Sequence, residues 1–212
     1  MLKLVAALTA GLVAMGGWAV VTVKDLPEYF VAGQQYTIEF QVRQHGRTLL
    51  SGLRPELVIA SPAAREAVIP AVARSAAGAY AVTFTAPAAG EVRLTIRSGF
   101  GNNELRLYPQ TVVAAGGSRP ALLARDRGQL LFVAKGCNTC HANSDLTDRP
   151  DNQVITVGPE LGGRHLAREY VIQKMKNPSS QVMLDLGLSD ADAAAIAVFL
   201  SGDRAAASGG SR

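Results

Sequence analysis

Apolar and polar residues alternate with period two through the first half of the chain. Tyr36, Ile38, Phe40 and Val42 fall on one side of a run, with Thr37, Glu39 and Gln41 on the other. Tyr80, Val82 and Phe84 repeat the pattern, as do Val92, Leu94 and Ile96. Such alternation predicts half-buried β-strands. Residues 18–23, 57–60, 67–73, 105–107 and 111–113 are further candidates, and turn residues separate them, among them Ala32-Gly33, His45-Gly46, Ser61-Pro62 and Ala77-Gly78. Seven or so short strands at this spacing predict an all-β, antiparallel sandwich of immunoglobulin-like type over residues 18–113, with Trp18, the sole tryptophan, in its core. Beyond residue 122 the period changes. A helix is expected over 168–176, with Met175 on its apolar side, and another from 190 onward. Ser189 stands at the N-cap of the latter, and Asp190 and Asp192 favour the positive end of its dipole.

Between these halves, residues 114–121 (AAGGSRPA) are small and flexible and contain a proline, the composition of a linker, and residues 203–212 form a low-complexity tail. The 212 residues are 48% hydrophobic and 18% charged, enough for two modest domains of globular type. Lys3 followed by the apolar run 4–15 and the small residues Gly16, Gly17 and Ala19 predicts a signal peptide over residues 1–17. The uncharged stretch 4–23 could alternatively serve as an uncleaved anchor, although three glycines interrupt it. The net charge of +4 sits in the first 121 residues, which hold 11 Lys/Arg against 7 Asp/Glu. The remainder holds 10 of each. No cluster of the kind that binds nucleic acid is present.

The chemistry concentrates in Cys137-Asn138-Thr139-Cys140-His141. Two thiols separated by two residues and followed at once by histidine make the attachment signature of a c-type haem. Each sulfur adds to one porphyrin vinyl group, and the imidazole supplies the proximal iron ligand. A redox CxxC or half of a zinc site is the competing reading. Zinc requires a second ligand pair, and this chain has only these two cysteines and two other histidines, His45 and His165. No serine, histidine and aspartate set and no phosphate-binding glycine loop is present.

The flanking residues carry a resemblance. Residues 128–136 (GQLLFVAKG) run into CNTCH. Gly158-Pro159-Glu160-Leu161, Tyr170-Val171-Ile172, Lys176-Asn177-Pro178-Ser179 and 183–189 (MLDLGLS) come next, and 190–200 close the series. In that order the stretch 122–202 resembles a class I monohaem cytochrome c. The resemblance implies a C-terminal all-α cytochrome c fold, one covalent haem c on Cys137 and Cys140, and His141 as an axial ligand. It also implies a proximal side shaped by Gly158 and Pro159, and maturation outside the cytoplasm, in the periplasm or on the outer face of the cytoplasmic membrane. It places Met183 as the second axial ligand. The residues themselves leave Met175, His165 or an open position as alternatives. The family's proline after that methionine is replaced by Leu184, which implies a weaker bond. In the first half, Asp25-Leu26-Pro27-Glu28-Tyr29, residues 40–46 (FQVRQHG), Leu53-Arg54-Pro55, Gly78-Ala79-Tyr80 and the 87–90 turn resemble the YtkA-like, FixH-related β-sandwich domains.

The expectation is therefore a two-domain, extracytoplasmic one-electron carrier, not an enzyme by itself, docked through its sandwich to a respiratory or dehydrogenase complex in the membrane. A haem-based redox sensor or a metal or oxidase assembly factor, with His45 as a possible metal ligand, and a ligand-activating haem subunit are the alternatives.

Overall fold

The computed structural model describes residues 17–62, 64–119, 121–178, 183 and 186–202. The expected signal segment, apart from Gly17, and the tail 203–212 lie outside the described residues.

Among the described residues, eleven strands form two facing sheets. In the first, β1 (Ala19–Val23) pairs with β3 (Gln35–Gln44), which pairs with β8 (Ala79–Thr85), which pairs with β7 (Val72–Ala73). The short β4 (Thr48–Leu49) hangs on β3. The second runs β2 (Phe30–Val31), β11 (Gln110–Val113), β9 (Gly90–Arg97), β5 (Glu56–Ser61), β6 (Ala64–Pro70), with β10 (Glu104–Arg106) on β9. Alternation does what the pattern predicts. Ile38, Phe40 and Val42 of β3, Tyr80, Val82 and Phe84 of β8, and Val92, Leu94 and Ile96 of β9 all enter one apolar core between the sheets. Each fully buried side chain of this size contributes about 1.5–3 kcal/mol. Tyr80 anchors the 50–53 loop as well, its hydroxyl donating to Leu50 O at 2.7 Å and accepting from Leu53 N–H at 3.1 Å.

Three expectations are corrected. The sheets are not wholly antiparallel, because β2 and β11 pair in parallel, so the immunoglobulin-like reading keeps only its two-sheet arrangement. Trp18 is half-buried rather than central, its ring 5.4 Å from that of His45 on an exposed hairpin. Residues 122–202 do not form a C-terminal all-α cytochrome c domain. They contribute four short helices to a mostly β protein: α1 (Ala124–Ala134), α2 (Cys137–Cys140), α3 (Arg168–Lys176) and α4 (Asp190–Ser201).

The physical reason lies in how the helices are packed. The run 141–167 contains no helix, and the end of α1 is not reserved for a helical core. Val133 and Ala134 are fully buried in the core of the sheets, while Leu131 and Phe132 join Val171, Met175, Ile196 and Phe199 in a second cluster. Leu146 packs against both. All five residues of β1 are buried: Ala19, Val21 and Val23 face the core between the sheets, while on the other face Val20 meets Gly136 and Thr22 Oγ1 donates to Lys135 O at 3.4 Å, both just beyond α1. No helix among the described residues is long and apolar enough to cross a membrane.

Candidate functional site

The chain reverses at Gly136, whose φ of +76° closes α1 by donating to Val133 O at 2.9 Å. A side chain is excluded there twice over. The backbone is left-handed, and a Cβ would meet Val20 Cγ1 at 2.6 Å and Val21 O at 2.7 Å. The CNTCH segment is thereby brought directly against β1. Cys137 to Cys140 make a single helical turn, and His141 N–H donates back to Cys137 O at 2.9 Å. Spacing of i and i+3 sets the two thiols on one side of that turn.

A return segment then runs beside the turn. Ile155 N–H donates to Thr139 O at 2.8 Å, Gly158 N–H to Cys140 O at 2.9 Å, and Leu161 N–H to Ala142 O at 2.9 Å. This brings Pro159 O to 2.9 Å from His141 Nδ1. A carbonyl only accepts, so in the neutral ring Nδ1 carries the proton and Nε2 keeps its lone pair. Gly158 lies so close to the imidazole that a Cβ would strike Cε1 and Nδ1. Glu160 fastens the segment further, accepting from Ser144 N–H at 3.0 Å and Gly162 N–H at 2.9 Å.

Both cysteines are free thiols. Burial, helped by the neighbouring Cys140 and opposed by Lys135, pushes the Cys137 thiol up to about 12. Burial also raises Cys140. A reactive dithiol depends on a depressed, thiolate-forming cysteine, so this pair is electrostatically unlike one.

Lys135, beside the motif, has a nearly enclosed side chain. Its ammonium pairs with Asp192 at 2.8 Å and donates to Lys24 O. Arg127 stands 3.9 Å from the same carboxylate and donates to Leu26 O at 2.5 Å. Neither Lys135 nor Arg127 had a sequence signal separating it from a solvated charge. Asn138 is buried, and neither its Oδ1 nor its Nδ2 has a partner among the described residues.

The other candidate ligands separate clearly. Met183 and Cys137 both pack, partly buried, against the second cluster, and Met175 lies inside it at 6% exposure. Leu184 lies outside the described residues. His165 is exposed, with φ +45°, beside Gly202 at the far end of α4. His45 lies on the hairpin between β3 and β4, its ring 5.4 Å from that of Trp18.

The expected metal-binding character is corrected. Among the described residues no three His, Cys, Asp or Glu side chains gather into a group that could hold a metal ion. A porphyrin brings its own four nitrogens to iron, so covalent haem asks for a smaller donor set: two thiols, one imidazole with a free Nε2, and an adjoining apolar wall. Cys137, Cys140 and His141 meet the first two requirements. Leu161, Leu166, Ile172 and Leu188 lie half-buried on the cluster that Cys137 touches.

No family model and no curated protein matches the chain. Among solved structures, the Lin-41 filamin domain is 20% identical, covering 47% of this chain and 93% of that one at a TM-score of 0.37. Domains 4 and 5 of the S-layer protein SbsC are 17% identical, over 47% and 54%, with a TM-score of 0.34. A candidate glycoside hydrolase from Bacteroides vulgatus is 13% identical over 42% of this chain at a TM-score of 0.32, and the chain spans 17% of its length. Likenesses this distant carry no argument about fold or activity.

Proposed function

We propose that this chain carries one haem c, bound covalently through Cys137 and Cys140, and works outside the cytoplasmic membrane as a one-electron carrier. The observation that carries the reading is the His141 imidazole. Its Nδ1 is committed to Pro159 O and its Nε2 is left as a donor, one residue after the second of two thiols on a single turn. Haem supplies the iron that cycles between ferric and ferrous; the chain's own part is attachment, orientation and exclusion of water. His141 is the proximal ligand. Met183 is the second, because it and Cys137 share the apolar cluster; a thioether in that position suits a carrier of higher potential. The raised thiols support the reading against a redox dithiol. The β-rich portion serves to dock the carrier to a respiratory or dehydrogenase complex.

The test is expression with haem-maturation machinery, followed by a denaturing gel stained for haem. The parent chain is expected to stain, and the Cys137→Ala/Cys140→Ala double variant is expected to lose the stain. An unstained parent, or a fully stained double variant, rejects covalent attachment.

A further inference from the structure

We propose that Asn152 is a positioning residue, through which the edge strand β10 sets the hydrogen bond on the His141 imidazole. This rests on the haem reading above. Among the described strands β10 pairs with β9 alone, so its other edge would expose backbone groups. Arg106, its last residue, turns its N–H and C=O toward that edge. The Asn152 side chain meets both: Oδ1 accepts from Arg106 N–H at 2.7 Å, and Nδ2 donates to Arg106 O at 2.9 Å. A primary amide presents one acceptor and one donor in the geometry of a peptide group, so Asn152 takes the place of a neighbouring strand. The residue is 8% exposed, and both polar atoms are satisfied, which makes burial cheap for the amide and costly for any group that meets only one of them.

The residues just beyond Asn152 link this contact to the haem-bearing turn. Three residues on, Ile155 N–H reaches Thr139 O; six on, Gly158 N–H reaches Cys140 O; and Pro159 O then accepts from His141 Nδ1. The segment is a strap pinned at one end to the sheet and at the other to that turn. Where the first pin sits decides how Pro159 O meets the imidazole. A strong Nδ1–H···O bond makes the ring a more basic ligand and favours ferric iron, and a slackened one favours ferrous. The Arg106 guanidinium also touches this strap, at Asp151 O (2.8 Å) and Oδ2 (3.2 Å). Both contacts of the guanidinium lie at the exposed surface, where water replaces them, and the ion pair is weak, so the pinning runs through the Arg106 backbone.

The experiment uses the full haem-loaded chain and compares Asn152→Ala with Arg106→Ala. Three readouts are taken: haem stain, the ferrous-to-ferric ratio at a fixed solution potential, and amide hydrogen exchange at Ile155 and Gly158. Asn152→Ala is expected to keep its haem, raise the ratio about threefold, and exchange both amides at least tenfold faster. Arg106→Ala should leave the ratio and both amides unchanged. An unchanged ratio in Asn152→Ala, or an equal shift in Arg106→Ala, overturns the proposal. Should Asn152→Ala not fold, Asn152→Asp, which keeps the acceptor and loses the donor, decides it by the same amide exchange. If the parent itself carries no haem, the haem reading fails by the stain, while exchange in the haem-free chain still shows whether Asn152 pins the strap.

Discussion

Cys137 shows how one side chain records its surroundings. Its thiol is neutral when protonated, and burial lifts its titration from the ordinary 9.0 to about 12. Between those values the unfolded chain releases a proton that the folded, haem-free chain retains, so unfolding is favoured as pH rises. Stability is thus full below about pH 9 and declines toward 12. Tyr108, buried with its hydroxyl donating to Thr147 O at 2.8 Å and also raised by burial to about 12, contributes in the same direction. The haem-free parent should therefore lose urea midpoint steadily from pH 9 to 11. Cys137→Ala, which keeps Tyr108 and Cys140, should lose less. Identical slopes for the two would mean that burial does not lift the Cys137 thiol. Haem attachment converts the sulfur to a thioether that does not titrate, so the loaded chain should also show the shallower slope.

At the scale of elements, α4 joins two kinds of stabilisation in one residue. Ser189 Oγ accepts from Asp192 N–H at 3.1 Å, the N-cap contact that the Ser-x-x-Asp spacing predicts. The Asp192 carboxylate then faces inward to Lys135, whose side chain is 4% exposed against 14% for Asp192. Asp192→Asn keeps the helix start and the shape but leaves Lys135 enclosed without its counter-charge, a change that costs about 3 kcal/mol. Glu91→Gln, which removes the exposed pair with Arg93, should cost under about 0.5 kcal/mol. Urea denaturation of the two variants checks the contrast, and equal losses would refute it. The cap was legible because it is local, and so were α3 and the long strands β3, β8 and β9, each carrying its own period. β2, β4 and β7 were not, because two residues hold no period. β1 reads as an apolar run interrupted only by Thr22 because it is covered on both faces, which is also why the sequence around it resembled a membrane anchor. The CNTCH turn was legible from identity alone. The strap was not: Asn152 acts through pairing with a strand 46 residues earlier, and no local pattern announces such a partner.

For the molecule as a whole, the linker composition at 114–121 implied two halves that fold separately, yet the halves meet along an extended seam. Val133 and Ala134 complete the core between the sheets. Arg127 and Lys135 donate to the carbonyls of Leu26 and Lys24, and burial holds the Arg127 guanidinium below its ordinary value. On the other flank, Asn152 and Tyr108 tie the 147–152 stretch to β10 and the residue two beyond it. Even the stretch 114–119 is engaged, with Arg119 lying 5.3 Å over the Tyr29 ring. A seam that combines buried apolar surface with enclosed charge couples what it joins, because separating the halves exposes Val133 and Ala134 and breaks the bonds of Lys135 and Arg127 to Lys24 O and Leu26 O at once. The full haem-free chain should then unfold in a single urea transition, with β-sheet circular dichroism and the fluorescence of Trp18 changing together. A fragment of residues 118–212 should be markedly less stable than the same residues within the full chain and should bind a hydrophobic dye that the full chain does not. Two separated transitions in the full chain, together with a fragment as stable as its parent, would show that the seam is a contact of two independent domains. The sandwich would then be free to act as a tether rather than as part of the site it holds.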